Sequence, residues 1–120
     1  MATGDLALVL HAHLPYVHSS EPGSLEEDWY FQALLECYLP LLDVLETAAA
    51  DGGLKPRLSM GLSPTLLSLL SSPELSQRFG PWLAVRQELL RQAPAGHEAA
   101  AANLALLLSR ASQAWQLCDG

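Results

Sequence analysis

Three of the chain's four histidines, His11, His13 and His18, fall in the stretch LVLHAHLPYVH, directly behind an apolar run. Imidazole serves as a metal ligand, a proton carrier or a hydrogen-bond donor, so spacing decides what such a cluster could do. In extended backbone, side chains two residues apart point to the same side. His11 and His13 therefore face one site if extended conformation persists that far, whereas His18 lies beyond them in a Ser- and Pro-rich loop. Tyr16 and Trp29 supply aromatic surfaces on which a polar ligand could stack. Three readings compete: a His-x-His pair giving two ligands to a metal-dependent hydrolase, two imidazoles donating hydrogen bonds in a polar ligand pocket, and loop histidines satisfied within the fold. Zinc needs a third protein ligand, and the chain offers only His18, His97 and isolated carboxylates at no diagnostic spacing.

Other chemistry-bearing residues have simpler explanations. In SLEEDW, Glu26 and Glu27 follow Ser24 as first-turn charge and as the partner of a capping box, in which Ser and Glu satisfy two free amides at a helix start. Tyr38, Trp82 and Trp115 stand at apolar helical positions and read as core, and His97 reads as a helix-start residue. Cys37 and Cys118 have neither pairing nor metal-type spacing and read as free thiols in a reducing compartment. No glycine-rich phosphate loop or nucleophile elbow is present.

The elements that must position these residues are legible from the same stretches. DLALVL, Asp5 to Leu10, reads as a short strand buried on both faces of a parallel sheet, ending at His11. Ligands collect at that end of α/β sheets, because the loops following the strands converge there. A long helix follows from about Leu25 to about Ala50, stopping at Gly52 and Gly53. Its Pro40 falls among Gln32, Glu36, Asp43 and Thr47 on a polar face, where water could satisfy the carbonyl that a proline frees. A second strand around Leu58 to Leu62 leads into a helix capped by Ser63 with Pro64 in its first turn. Strand, helix and strand make a βαβ unit with parallel strands and a right-handed crossover. SSPEL, from Ser71, and GPWL, from Gly80, each restart a helix, and the last of these ends near Gln92. A final helix, about His97 to Leu117, gathers Leu104, Leu107, Leu108, Ala111 and Trp115 on one face.

Composition sets the outer limits. The chain has 120 residues and is 50% apolar, enough for one domain with a core. It is rich in leucine and alanine and has no isoleucine, a balance that favours helix. The net charge is -7, and its Lys and Arg residues are scattered singly, which argues against nucleic acid and anionic membranes as partners. No signal peptide or membrane span is expected, and the expected location is the cytoplasm. Two strands alone expose both sheet edges and make no stable core, so the chain reads as the opening segment of a larger α/β protein; the alternative is a helical interaction module without chemistry.

LALVLHAHLPYV, EEDWYFQALLECYLPLLDVL and LSMGLSPTLLSLLSSPELSQRF occur in an order and at a spacing that resemble the beginning of glycoside hydrolase family 57. The resemblance runs from about Gly4 to about Arg91, with the tail AWQLCDG similar in a weaker way. His13, Leu14 and Pro15 match the family's His-Gln-Pro triplet, and HAHLPY is the form associated with its α-glucan branching enzymes. Leu14 departs from the triplet; Gln32 stands where an acidic residue is usual and Cys37 where threonine is usual. The resemblance implies that residues 1–120 are the N-terminal part of a catalytic domain, the opening βαβ part of an incomplete (β/α)7-type barrel, mostly helical and needing the rest of that domain. It implies an α-glucan substrate and a retaining mechanism with no metal or other cofactor, in which one carboxylate attacks the anomeric carbon and a second, roughly 5 Å away, acts as acid and then base. A branching enzyme of this kind cleaves an α-1,4 linkage and transfers the glycosyl group to a sugar 6-hydroxyl. Both carboxylates belong to later motifs, so no catalytic residue is expected in this chain; His11, His13, Tyr16 and Trp29 are the expected substrate-binding residues.

Overall fold

Hydrogen bonding between two short strands and the burial of one face of four helical segments organise the chain. A computed structural model describes residues 4, 6–50, 57–92, 96 and 98–119. Strand β1, Val9–Ala12, pairs in parallel with β2, Ser59–Leu62, in a register that sets His11 opposite Gly61 and Ala12 opposite Leu62. The strand therefore continues one residue past His11, because the amide of Ser63 donates to the Ala12 carbonyl at 3.0 Å and prolongs the pairing.

The long crossover helix forms in three pieces. Helix α1, Leu25–Ala33, is capped by Ser24, whose side chain accepts from the Glu27 amide at 3.2 Å. A π-helical turn, Leu34–Tyr38, connects it without interruption to α2, Leu39–Ala50. Leu39 donates to Leu34, five residues back, so the wider turn absorbs the break in hydrogen bonding just before Pro40, which has no N–H to give. The inserted residue also rotates the helix face. Gln32, Glu36 and Thr47 are exposed, whereas Pro40 on the same side is half-buried, in a cleft against α5. Asp43 sits in the same cleft, 3.8 Å from Arg110.

Helix α3, Pro64–Leu70, and helix α4, Pro73–Arg91, begin as the Ser-Pro pattern predicts, with the side chains of Ser63 and Ser72 accepting from the amides of Leu66 and Leu75. The expected restart at Gly80 does not occur. Pro81 lies inside α4, and the helix runs through it because Phe79, Trp82 and Leu83 are locked in the core on either side. Gln92 ends α4 as expected. Helix α5, Glu98–Asp119, packs on α4, α2 and the π turn. Its buried face carries Leu108 and Ala111, with Leu107 and Trp115 partly buried beside them; Leu104 is exposed, which corrects its assignment to that face. The expected helix stop at Gly52 and Gly53, the start at His97 and the thiol of Cys118 lie outside what is described.

The core is a helical layer centred on Phe31, Phe79, Leu69, Leu75 and Leu108. Phe79 meets the rings of Phe31, Trp82 and Trp115 at centroid distances of 5.3, 5.7 and 4.8 Å. Tyr38, Trp82 and Trp115 pack against this core, in keeping with the apolar positions they hold in the sequence, but each remains partly exposed. Burial beside Tyr38 pushes the phenol of Tyr30 up to about 12.

The sheet is the opposite case. A strand flanked on both faces was expected, yet Val9 is 69% exposed and every residue of β2 is exposed. Leu6, Leu8, Met60 and Leu62 are exposed with it, apolar side chains around a sheet of two described strands. The 120-residue chain on its own should therefore bind an apolar-surface dye and self-associate as its concentration rises. A cooperatively melting monomer without dye binding would support the interaction-module reading instead.

Candidate functional site

The site is built where β1 runs out. His11 and His13 lie on the same side of the extended chain with ring centroids 6.1 Å apart and planes within 12° of parallel. Both are exposed, so two imidazoles stand side by side at the C-terminal end of the strand. Opposite His11, Gly61 leaves the space the ring uses: a Cβ there would come within 3.2 Å of His11 Nδ1. Tyr16 and His18 form a second stacked pair at 5.8 Å, so the aromatic surface of Tyr16 is partly shared with His18. Tyr16 is 59% exposed, and Trp29, at the middle of α1, is 52% exposed. The structure thus brings His11 and His13 together as the spacing predicts and couples Tyr16 to His18; Trp29 stands apart from the helical core on its own element. Among the described residues, no group of three His, Cys, Asp or Glu side chains is placed to hold a metal.

The segment after β1 has little internal structure, and its carbonyls are held from outside. The Ala12 carbonyl accepts from the Ser63 amide at 3.0 Å, the His13 carbonyl from the Tyr38 hydroxyl at 3.4 Å and the Leu14 carbonyl from Thr65 Oγ1 at 2.7 Å. Burial, followed by the neighbouring Cys37, raises the pKa of Tyr38. Val17 is buried in the core cluster and pins the far end of the segment. Neither Tyr38 nor Thr65 was a site candidate in the sequence. Each acts from a distant position, and no local pattern marks it.

The acidic run at the start of α1 is structural, as its position suggested, but its bonds are more than local. Glu27 is buried; one carboxylate oxygen accepts from the Gly23 amide at 3.0 Å and the other from Arg78 of α4 at 2.8 Å. The capping box is therefore shifted by one residue, with Gly23 in place of Ser24 as the amide reached by Glu27. Asp28 accepts from Trp82 Nε1 at 2.8 Å and from Arg86, whose guanidinium lies 3.4 Å from the Trp82 ring centroid. Burial lowers the pKa of Arg86 while Asp28 opposes that shift. These bonds fix α1 on α4 and leave no free carboxylate cluster there.

The structure places the histidine pair at the C-terminal end of a parallel strand in a βαβ unit, and comparison with known proteins shows what this chain resembles. The chain matches no family model. It is 32% identical over 80 residues to a 1,4-α-glucan branching enzyme of Thermococcus kodakarensis, a match covering 67% of this chain and 12% of that enzyme. It is 35% identical over 81 residues to a probable 1,4-α-glucan branching enzyme of Mycobacterium tuberculosis, covering 68% of this chain and 15% of the relative. In fold it resembles the crystal structure of the Thermococcus kodakaraensis family 57 branching enzyme, solved with glucose, with a TM-score of 0.82 at 23% identity over 94% of this chain and 21% of that one. The family 57-type branching enzyme of Pyrococcus horikoshii gives a TM-score of 0.81 at 23% identity, over 94% and 22%. In sequence the chain is thus similar to part of known 1,4-α-glucan branching enzymes, and in fold to the family 57 branching enzymes. It spans only 12 to 15% of the length of the curated relatives it matches.

Proposed function

We propose that residues 1–120 are the N-terminal part of a family 57 catalytic domain with an incomplete (β/α)7-type barrel, and that the whole protein is a 1,4-α-glucan branching enzyme. The sequence match to branching enzymes over two thirds of the chain carries this reading. The exposed strands are the surface the remaining barrel strands would cover. In this reading His11 and His13 donate hydrogen bonds to sugar hydroxyls beside the attacked bond, and Tyr16 and Trp29 offer faces against which sugar rings rest. The nucleophile and the acid-base carboxylate lie outside this chain, and the glycosyl intermediate passes to a 6-hydroxyl in place of water. The exposed free thiol of Cys37 suits the reducing cytoplasm as its place of action.

The test is the product formed from linear amylose by the full-length protein. New α-1,6 linkages, seen as short linear chains released on enzymatic debranching, are expected, with activity that survives chelation of divalent metal. Hydrolysis alone would replace branching by another α-glucan activity of the family. Stoichiometric zinc, lost together with activity on chelation, would decide for a metal-dependent hydrolase using His11 and His13 as ligands.

A further inference from the structure

The carbonyl held by Thr65 belongs to a longer chain of hydrogen bonds. Thr65 Oγ1 has a single hydrogen and donates it to the Leu14 carbonyl at 2.7 Å. Its 3.0 Å contact with Ser63 Oγ must therefore run the other way, with the serine donating and the threonine accepting. Ser63 Oγ in turn accepts from the Leu66 amide at 3.3 Å. The sequence is thus continuous and one-directional, from the Leu66 amide through Ser63 and Thr65 to the Leu14 carbonyl, and successive bonds polarise one another. Ser63 is buried and Thr65 half-buried, so water competes little for these bonds. Ser63 also uses its amide on the Ala12 carbonyl, so the start of α3 holds the chain on both sides of His13.

We propose that Thr65 is a positioning residue for His13, clasping the carbonyl that follows it so that the imidazole keeps its place beside His11. The inference rests on the sugar-site reading above. Apart from the Tyr38 hydroxyl at 3.4 Å, the described hydrogen bonds to the backbone of this extended segment near His13 come from the start of α3. Losing the Thr65 hydroxyl leaves the Leu14 carbonyl without its donor, and the Tyr38 hydroxyl then holds the His13–Leu14 backbone alone among the described hydrogen bonds beyond Ala12.

The experiment compares Thr65→Val, which keeps the shape and loses the hydroxyl, with Thr65→Ser, which keeps the hydroxyl, and with His13→Ala, all in the full-length protein. Turnover on amylose and the NMR ring signals of His11 and His13 are read together. In Thr65→Val, kcat should fall about 10- to 100-fold, as expected when a substrate-positioning group is misplaced by about an ångström. KM should move by less than about threefold, and the histidine signals should shift. Thr65→Ser should recover both. Parental turnover in Thr65→Val alongside a loss in His13→Ala would overturn the clasp and leave the sugar site standing. Parental turnover in both would remove the sugar-site reading, and the inference with it. Equal losses in the Val and Ser variants, with a lowered Tm, would make Thr65 an ordinary structural residue.

Discussion

Alanine at either His11 or His13 in the full-length protein should cost glucan turnover about 2 to 4 kcal/mol of transition-state stabilisation, the range seen when a preorganised donor at developing charge is lost. In rate that is roughly 30- to 1,000-fold. The loss should appear in kcat more than in KM, since a donor that strengthens only as charge develops contributes little to ground-state binding. Both rings are exposed in this chain, so truncation removes no core packing and each variant should fold. His18 is the comparison within the same loop. Its ring stacks on Tyr16, so His18→Ala releases one aromatic face and should cost less than either member of the pair. Near-parental turnover in well-folded His11→Ala and His13→Ala would leave them as ordinary loop histidines. Equal losses in all three variants would point to general loosening of the loop and would remove any special role for the pair.

What the sequence disclosed about this site depended on whether the signal was local. The side-by-side histidines follow from a period of two in extended backbone, and the structure places them so. The serines at positions 24, 63 and 72 were legible as caps because a cap bonds to an amide within the next turn. The strand pairing followed from two short apolar runs separated by a helix. The π turn was not legible, since nothing in LLECY departs from an ordinary helix; only Pro40 behind it hints that one hydrogen bond must be rearranged. Pro81 was misleading for the opposite reason. A Gly-Pro pair is a strong local stop, and here the packing of Phe79 and Trp82 overrides it. Thr65 and Tyr38 bond to carbonyls 51 and 25 residues away, and such contacts leave no periodicity to read. The sheet's exposure was legible only as a deficit, two strands where a stable sheet needs more.

Phe79→Ala should have the largest effect on stability, at about 3 to 5 kcal/mol, the usual cost of emptying a fully buried phenylalanine site. Phe79 has no exposed surface and touches aromatic rings from three places: Phe31 on α1, Trp82 on its own helix and Trp115 on α5. Its removal opens a cavity where these helices meet, lined by large rings that fill it poorly by collapse. The expected loss is comparable to the whole stability of a small domain. In the full-length protein, thermal or urea unfolding followed by circular dichroism should then show its transition lost or shifted far down. Leu89→Ala on the same helix is the control, because Leu89 is 61% exposed and its truncation should stay within about 0.5 kcal/mol. The effect should also reach the histidines. Phe31 anchors α1, α1 leads through the π turn to Tyr38, and the Tyr38 hydroxyl holds the His13 carbonyl. In a Phe79→Ala protein cooled until it folds, the His13 ring signal should therefore broaden before that of His11, whose backbone is held by pairing with β2. A cooperative transition close to the parental one would show that the helical layer is stabilised elsewhere, and simultaneous broadening of both rings would show that the sheet and the helical layer do not loosen separately.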